Sequence, residues 1–228
     1  MTVAIAYSNM LYKDVFSRLC GPISAEIFLI TDPNELTLDN LTKLKPKYIF
    51  FSHWSYMIPK DIYQNFECVI FHMTDLPFGR GGSPLQNLIA RGIYQTQITA
   101  LKCTEVTDGG AVYLKKPLSL YGAAEEIYLR ASTIVLDMIQ EIMANGIVPK
   151  EQVGVPTCFK RRTRENGDIR SLTTLTQIFD YIRMLDAEGY PPAFLETEHF
   201  RVEFSRASIK KDQVLADVKI TLKKDTYE

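Results

Sequence analysis

The sequence predicts an α/β fold, with a mostly parallel sheet flanked by helices and a small C-terminal module of helix plus antiparallel sheet. Three observations carry this. Short, wholly apolar runs alternate with helical segments through the first half of the chain, which is how strands buried on both faces read. Between Cys68 and Gly92 a buried strand passes through a Pro/Gly-punctuated loop into a helix start at Ser83-Pro84. Such strand–loop–helix joints expose working residues, because ligands sit outside the carboxyl ends of parallel strands. The tail alternates with period two: Phe200, Val202 and Phe204 against Arg201 and Glu203, then Val214, Ala216, Val218, Ile220 and Leu222 with Asp217, Lys219 and Thr221 between. That is the pattern of half-buried antiparallel strands.

In chain order, residues 2–6 (TVAIA) read as a buried strand, followed by a helix over residues 10–19 and a second strand over 25–30. Asp32, Pro33 and Glu35 form a helix start as cap, first and third residue, and the helix carries Leu36, Leu41 and Leu44 until Pro46 stops it. Tyr48–Phe51 is the third strand, running into Ser52-His53-Trp54, and Cys68–Phe71 is the fourth. Ile98–Cys103 and Ala111–Leu114 read as strands bracketing Thr104–Gly110. A long helix spans about 123–145, with Ile127, Ala131, Ile134, Val135, Met138 and Ile142 on one face and Gly146 at its end. Residues 149–172 shift to loop composition with a basic cluster, Lys160-Arg161-Arg162 and Arg164, which reads as a solvated face or a phosphate contact. A helix over 173–187 precedes the alternating tail. The expected organisation is a main domain over 1–148, a linker over 149–172 and a small module over 173–228.

Composition bounds the function. With 46% hydrophobic and 23% charged residues, the 228-residue chain has the make-up of an ordinary globular protein. Its formal net charge of −1 weighs against a broad nucleic-acid surface, which normally needs a basic excess. A polar stretch comes before any long apolar run, and no run is long enough to span a bilayer, so a cytoplasmic protein is expected. Cys20, Cys68, Cys103 and Cys158 form no C-x-x-C pair and read as reduced thiols. No G-x-G-x-x-G follows the first strand and GRGGSP lacks a Walker ending, so neither nucleotide loop is expected. Three histidines without ligand spacing suggest no metal.

The chemistry is expected around His72, just past a strand end. The loop after it holds Thr74, Asp75, Pro77, Arg80 and glycines 79, 81 and 82, and Ser83 stands as a helix N-cap. A lone histidine there is structural or catalytic. Asp108, before two glycines, is a turn residue or a functional one. Trp54, the one tryptophan, stacks on a ligand or packs in the core.

His72, Leu76, Pro77, Arg80, Gly81 and Pro84 together resemble the His-x-x-x-Leu-Pro-x-x-Arg-Gly-x-x-Pro signature of methionyl-tRNA and sugar N-formyltransferases, and Thr107-Asp108-Gly109-Gly110 resembles the family's Thr-Asp-Gly loop. The stretch HMTDLPFGRGGSPLQNLI looks closest to the sugar N-formyltransferases of pseudaminic acid biosynthesis. The resemblance implies a Rossmann-like formyltransferase fold and formyl transfer from 10-formyltetrahydrofolate to a nucleotide-linked amino sugar, such as a UDP-4-amino-4,6-dideoxy sugar. It implies no metal and no nucleic-acid partner, and leaves a homodimer open. Methionyl-tRNA formylation and a non-catalytic folate- or nucleotide-sugar-binding relative are the alternatives. By resemblance, His72 and Asp108 act on the formyl group. Tyr56, Met57, Ile58 and Pro59 with Cys103, Thr104, Val106 and Asp108 meet the folate, and Asp75, Arg80, Gly81, Arg183 and Tyr190 border the acceptor. The family has an asparagine two residues before the histidine, where this chain has Ile70. A substitute donor is expected, with His53 and Asn87 even as candidates and Thr74 and Asp75 behind them.

Overall fold

A computed structural model describes residues 1–8 and 25–223. The expected helix over 10–19 and Cys20 lie outside the described residues. The chain forms two compact units built from non-consecutive pieces: Met1–Gly81, Thr96–Leu118 and Leu129–Cys158 in the first, and Gly82–Gln95, Ser119–Tyr128 and Phe159–Glu228 in the second. The sequence suggested boundaries at 148 and 172, whereas these units interleave.

The first unit is organised on a six-stranded sheet. Its strands are β1 (Thr2–Ala6), β2 (Glu26–Ile30), β3 (Tyr48–Phe51), β4 (Cys68–His72), β6 (Gln95–Lys102) and β7 (Val112–Ser119); β5 is a two-residue strand at Arg80–Gly81. The order is β2-β1-β3-β4-β6-β7, with β1, β2, β3 and β4 parallel and β6 antiparallel to β4. This bears out the α/β reading. The central strands are apolar on both faces because both are covered: Ile5, Ile49, Phe50 and Val69 are wholly buried. Each such side chain contributes roughly 1.5–3 kcal/mol by leaving water.

Around the sheet lie α1 (Leu38–Leu44), α2 (Lys60–Asn65) and the larger part of α4 (Ala124–Asn145). The helix start expected at Asp32 is a short 3-10 turn, Pro33–Glu35, in which Asp32 accepts from Asn34 N. A second cap takes over: the Thr37 hydroxyl accepts from Asn40 N and opens α1, which Lys45 closes in the left-handed region. In α4 the buried stripe is Ile127, Ala131, Val135, Met138, Ile139 and Ile142, and Gly146 follows at φ +56°.

The second unit holds α3 (Pro84–Ile89), the first residues of α4, α5 (Leu175–Arg183) and the antiparallel sheet β9 (Ala193–Glu196), β10 (Phe200–Ile209) and β11 (Val214–Leu222), in the order β11-β10-β9; β8 (Cys158–Phe159) lies at its entry. Buried polar ties explain why α3 and residues 119–128 belong here. Gln86 Nε2 donates to Tyr128 Oη and to the Met184 carbonyl, and Tyr94 Oη donates to Asp180 Oδ2 at 2.7 Å. Thr174 and Gln177 form a capping box at the start of α5. Ser83 does not cap α3 as expected: it sits at φ +49°, and its hydroxyl accepts from Arg162 N instead.

Candidate active site

β4 ends at His72, and the turn after it folds back on the imidazole. His72 Nε2 lies 2.8 Å from the Gly79 carbonyl oxygen, which also accepts from the Thr74 hydroxyl at 3.3 Å. A carbonyl can only accept, so this bond places a proton on Nε2. The other nitrogen, Nδ1, faces Asp108 Oδ2 at 3.5 Å. With Nε2 already protonated, Nδ1 of a neutral ring presents a lone pair to a carboxylate. The contact becomes attractive when a proton arrives at Nδ1. The carboxylate is therefore placed to offset positive charge on the ring, and the His72 residue is 7% exposed.

Asp108 is held from three sides. Its carboxylate accepts from Gly81 N at 2.8 Å, its carbonyl accepts from Gln152 Nε2 at 2.8 Å, and its backbone takes φ +50°, which Asp tolerates better than most residues. Gly110 follows because a side chain cannot: a Cβ there would lie 1.9 Å from the Lys102 carbonyl oxygen.

Gln152 is the residue sequence reasoning missed. Its Oε1 accepts from Arg80 Nε and Nη2 at 3.2 and 2.7 Å, while its Nε2 spans the Asp108 and Gly110 carbonyls. Thr157 adds to the lacing, accepting Gly79 N at its hydroxyl and Arg80 N at its carbonyl. The segment read as linker thus ties the histidine turn to the aspartate loop. Nothing in the composition of 149–157 signals this, since the bonds are made by one ordinary Gln and one Thr.

The remaining candidates are placed as follows. Ile70 shares the His72 face of β4 and packs against the core, between Phe51 and Leu101 in register. Thr74 is wholly buried; its carbonyl accepts from Thr99 and its hydroxyl serves Gly79. Asp75 is exposed and paired with Lys115 at 2.5 Å. Asn87 is spent inside the second unit: Nδ2 donates to the Gly82, Ser83 and Lys160 carbonyls, and Oδ1 accepts from Arg91. Arg183, expected at the acceptor, is instead 3% exposed, ion-paired to Asp180 at 2.7 Å and donating to the Leu120 and Gly122 carbonyls, so its guanidinium builds the unit. Tyr190 is partly exposed and stacks on Tyr128.

His53, just past the end of β3, takes φ +49°, and burial pushes its imidazole down to about 4, so it is neutral at ordinary pH. Beyond it Tyr56 and Met57 are exposed, the latter by 90%, while Ile58 packs on the core and Pro59 precedes α2. Trp54 sets its ring edge-on to Phe51 and Tyr56. Across the sheet, Cys103 is buried, its thiol pushed up to about 11 chiefly by desolvation and then by Asp108, while Thr104 and Val106 are exposed. Two buried polar atoms next to the exposed loop, Ser52 Oγ and Trp54 Nε1, have no partner. An exposed apolar loop beside unpartnered polar atoms suits a pterin, a flat polar heterocycle, so these residues fit a folate. Among the described residues no group of three or more His, Cys, Asp or Glu could hold a metal ion, and no helix is long and apolar enough to cross a membrane.

Comparison with known proteins revises the acceptor. Residues 164–221 match the family model described as methionyl-tRNA formyltransferase, C-terminal domain. A solved structure named methionyl-tRNA formyltransferase from Clostridium thermocellum is 46% identical, with a TM-score of 0.95 over 98% of this chain and 100% of that one. A methionyl-tRNA formyltransferase of Wolinella succinogenes is 25% identical over 161 residues, 68% of this chain and 52% of its own length. The chain spans about half the length of the curated relatives it matches. A 4-N formyltransferase from Francisella tularensis is 13% identical, with a TM-score of 0.67 over 86% of this chain and 93% of that one, which speaks for the fold alone.

The expected sugar N-formyltransferase activity and nucleotide-sugar partner are therefore overturned, and with them the exclusion of nucleic acid. The exclusion failed because net charge is a sum. A total of −1 leaves room for the exposed basic stretch Lys160, Arg161 and Arg164. With a 46%-identical relative covered from end to end, the chain belongs to the formyltransferase family, and its relatives there are methionyl-tRNA formyltransferases.

Proposed function

We propose that this chain is a cytoplasmic enzyme that moves a formyl group from 10-formyltetrahydrofolate to the amino group of methionyl-tRNA. The observation that carries the reading is the His72–Asp108 pair, with one imidazole nitrogen tied to the Gly79 carbonyl and the other turned to the carboxylate. The 46%-identical relative of that name supports the choice of acceptor.

The folate supplies an activated formyl carbon. The chain's own groups manage the proton and the orientation. A charged ammonium cannot attack a carbonyl carbon, so the acceptor amine must give up a proton. Nδ1 of His72 is the acceptor for it, and the Asp108 carboxylate offsets the charge that appears on the ring. As the amine bonds the formyl carbon, the bond from that carbon to the folate nitrogen breaks; the second amine proton goes to the departing tetrahydrofolate nitrogen, and the first leaves the ring for solvent. Gly81 N and the Gln152 amide keep that carboxylate in place. Ile70 brings no donor, so a developing oxyanion needs another. Of the two candidates rated even from sequence, Asn87 has its amide committed to three carbonyls. His53, at the end of β3 in the same unit as His72, is the candidate we favour. The exposed Lys160, Arg161 and Arg164 supply charge suited to an RNA backbone.

The test is direct. Purified protein is incubated with 10-formyltetrahydrofolate and charged initiator methionyl-tRNA, and the hydrolysed aminoacyl group is read by mass spectrometry. Formylmethionine is the expected product. Its absence, with folate binding intact, would refute the acceptor assignment.

A further inference from the structure

We propose that β11 is a dimer interface, along which two copies of this chain join their C-terminal sheets edge to edge about a two-fold axis at Val218. β11 is the outer strand of its sheet, nine residues long, without proline, and among the described residues its one sheet neighbour is β10. Such an edge offers a row of unpaired backbone groups to another strand.

The register says which groups these are. Phe200 pairs with Leu222, Val202 with Ile220 and Phe204 with Val218. The next pair outward is hydrogen-bonded, Lys223 N donating to the His199 carbonyl at 2.9 Å. Bonded and non-bonded pairs alternate in an antiparallel ladder, so residues 217, 219 and 221 turn their backbone groups to β10. Val214, Ala216, Val218, Ile220 and Leu222 turn theirs to the free edge.

The side chains choose the partner. A two-fold axis through Val218 pairs residue i with residue 436 − i of the second copy, since 218 + 218 = 436. Val214 then meets Leu222, Ala216 meets Ile220, and Val218 meets itself, all as bonded pairs. On the other face Asp217 meets Lys219 in both directions. An axis at 217 or 219 would set like charges opposite each other. Within one chain Asp217 already bonds Arg206, and Lys219 lies 3.7 Å from Glu203, so the new pairs extend a charge network along that face. The apolar face gains most: Val218, Ile220 and Leu222 are 53%, 62% and 74% exposed, beside a half-exposed Phe200. A second copy continues this stripe across the axis with the same residues.

The test uses the whole chain in analytical ultracentrifugation across micromolar concentrations, where a dimer is expected. Val218→Pro removes an N–H that points away from β10, a place where an edge strand tolerates proline. The fold, read by circular dichroism, should persist while dimerisation weakens by at least about tenfold, from the two lost intermolecular bonds. Val218→Cys should form a reducible cross-link between copies, because bonded partners lie about 5.5 Å apart at Cα, within disulfide reach. Leu222→Cys, facing residue 214, should not. A monomer at every concentration leaves the edge to some other strand and overturns the proposal. So does a dimer indifferent to Val218→Pro, or equal cross-linking by the two cysteines.

Discussion

Replacing Gly110 by Ala asks whether the aspartate loop is held as described. The added Cβ would fall 1.9 Å from the Lys102 carbonyl oxygen, 2.9 Å from its carbon and 3.2 Å from Thr104 Cγ2. The first two are backbone at the end of β6, where Lys102 N also accepts no freedom, since it donates to the Ala111 carbonyl at 2.8 Å. The loop must therefore move rather than a side chain. Overpacking of this kind costs about 1–3 kcal/mol, occasionally more, and each kcal/mol lowers the melting midpoint of a chain this size by roughly 2–4 °C. The displacement carries Asp108, two residues earlier, and a shift of about 1 Å in a positioned group can cost on the order of a hundredfold in rate. Urea unfolding measures the first effect and single-turnover formylation the second. Gly92→Ala is the control: Gly92 has φ +71° but nothing within 4 Å of a built Cβ, so it should lose only the roughly 1–2 kcal/mol of a left-handed backbone, with turnover untouched. Unchanged stability and rate in Gly110→Ala would refute the reasoning.

Other perturbations separate framework from chemistry. Asn87→Ala should destabilise by about 1–3 kcal/mol, having stranded buried carbonyls, with kcat per folded molecule nearly unchanged; denaturant titration and kinetics together check this. Arg183→Ala leaves the buried Asp180 carboxylate without its countercharge, held by the Tyr94 hydroxyl, and should cost about 3–5 kcal/mol in urea unfolding. Arg170→Ala, at an exposed pair with Asp168, should cost no more than about 1 kcal/mol. His53 stays neutral in the fold down to about pH 4, whereas an unfolded imidazole takes a proton near pH 6.5. The unfolded state therefore binds more protons between those values, and stability should fall as pH drops through this window, by about 3 kcal/mol in all. His53→Asn, a residue at home at positive φ, should flatten that slope when unfolding is compared at pH 7 and pH 5.

Strand existence was legible because burial on both faces leaves unbroken apolar runs, as at Thr2–Ala6 and Tyr48–Phe51. The period-two tail was legible for the complementary reason. Boundaries were less so. Thr37 interrupts what reads as one helix because its hydroxyl caps as well as Asp32 does, and sequence does not rank two caps five residues apart. The grouping of α3 with α5 rests on Gln86 and Tyr94, polar residues whose partners lie far along the chain. In the site, His72 and Asp108 stood out through their motifs, while Gln152 did not, since its role depends only on where the chain returns. The acceptor was misjudged because net charge averages over the whole chain and hides a local cluster such as the exposed Lys160, Arg161 and Arg164.

The most direct measurement is single-turnover formylation of methionyl-tRNA by the wild-type chain, His72→Ala, Asp108→Asn and the double variant, each shown to be folded. The imidazole and the carboxylate face each other across 3.5 Å, so they should behave as a unit. His72→Ala is predicted to lose about 10²–10⁴-fold in rate, Asp108→Asn to be damaging as well, and the double variant to fall little below the worse single one. Additive losses in the double variant, or a His72→Ala protein with near wild-type turnover, would contradict the account.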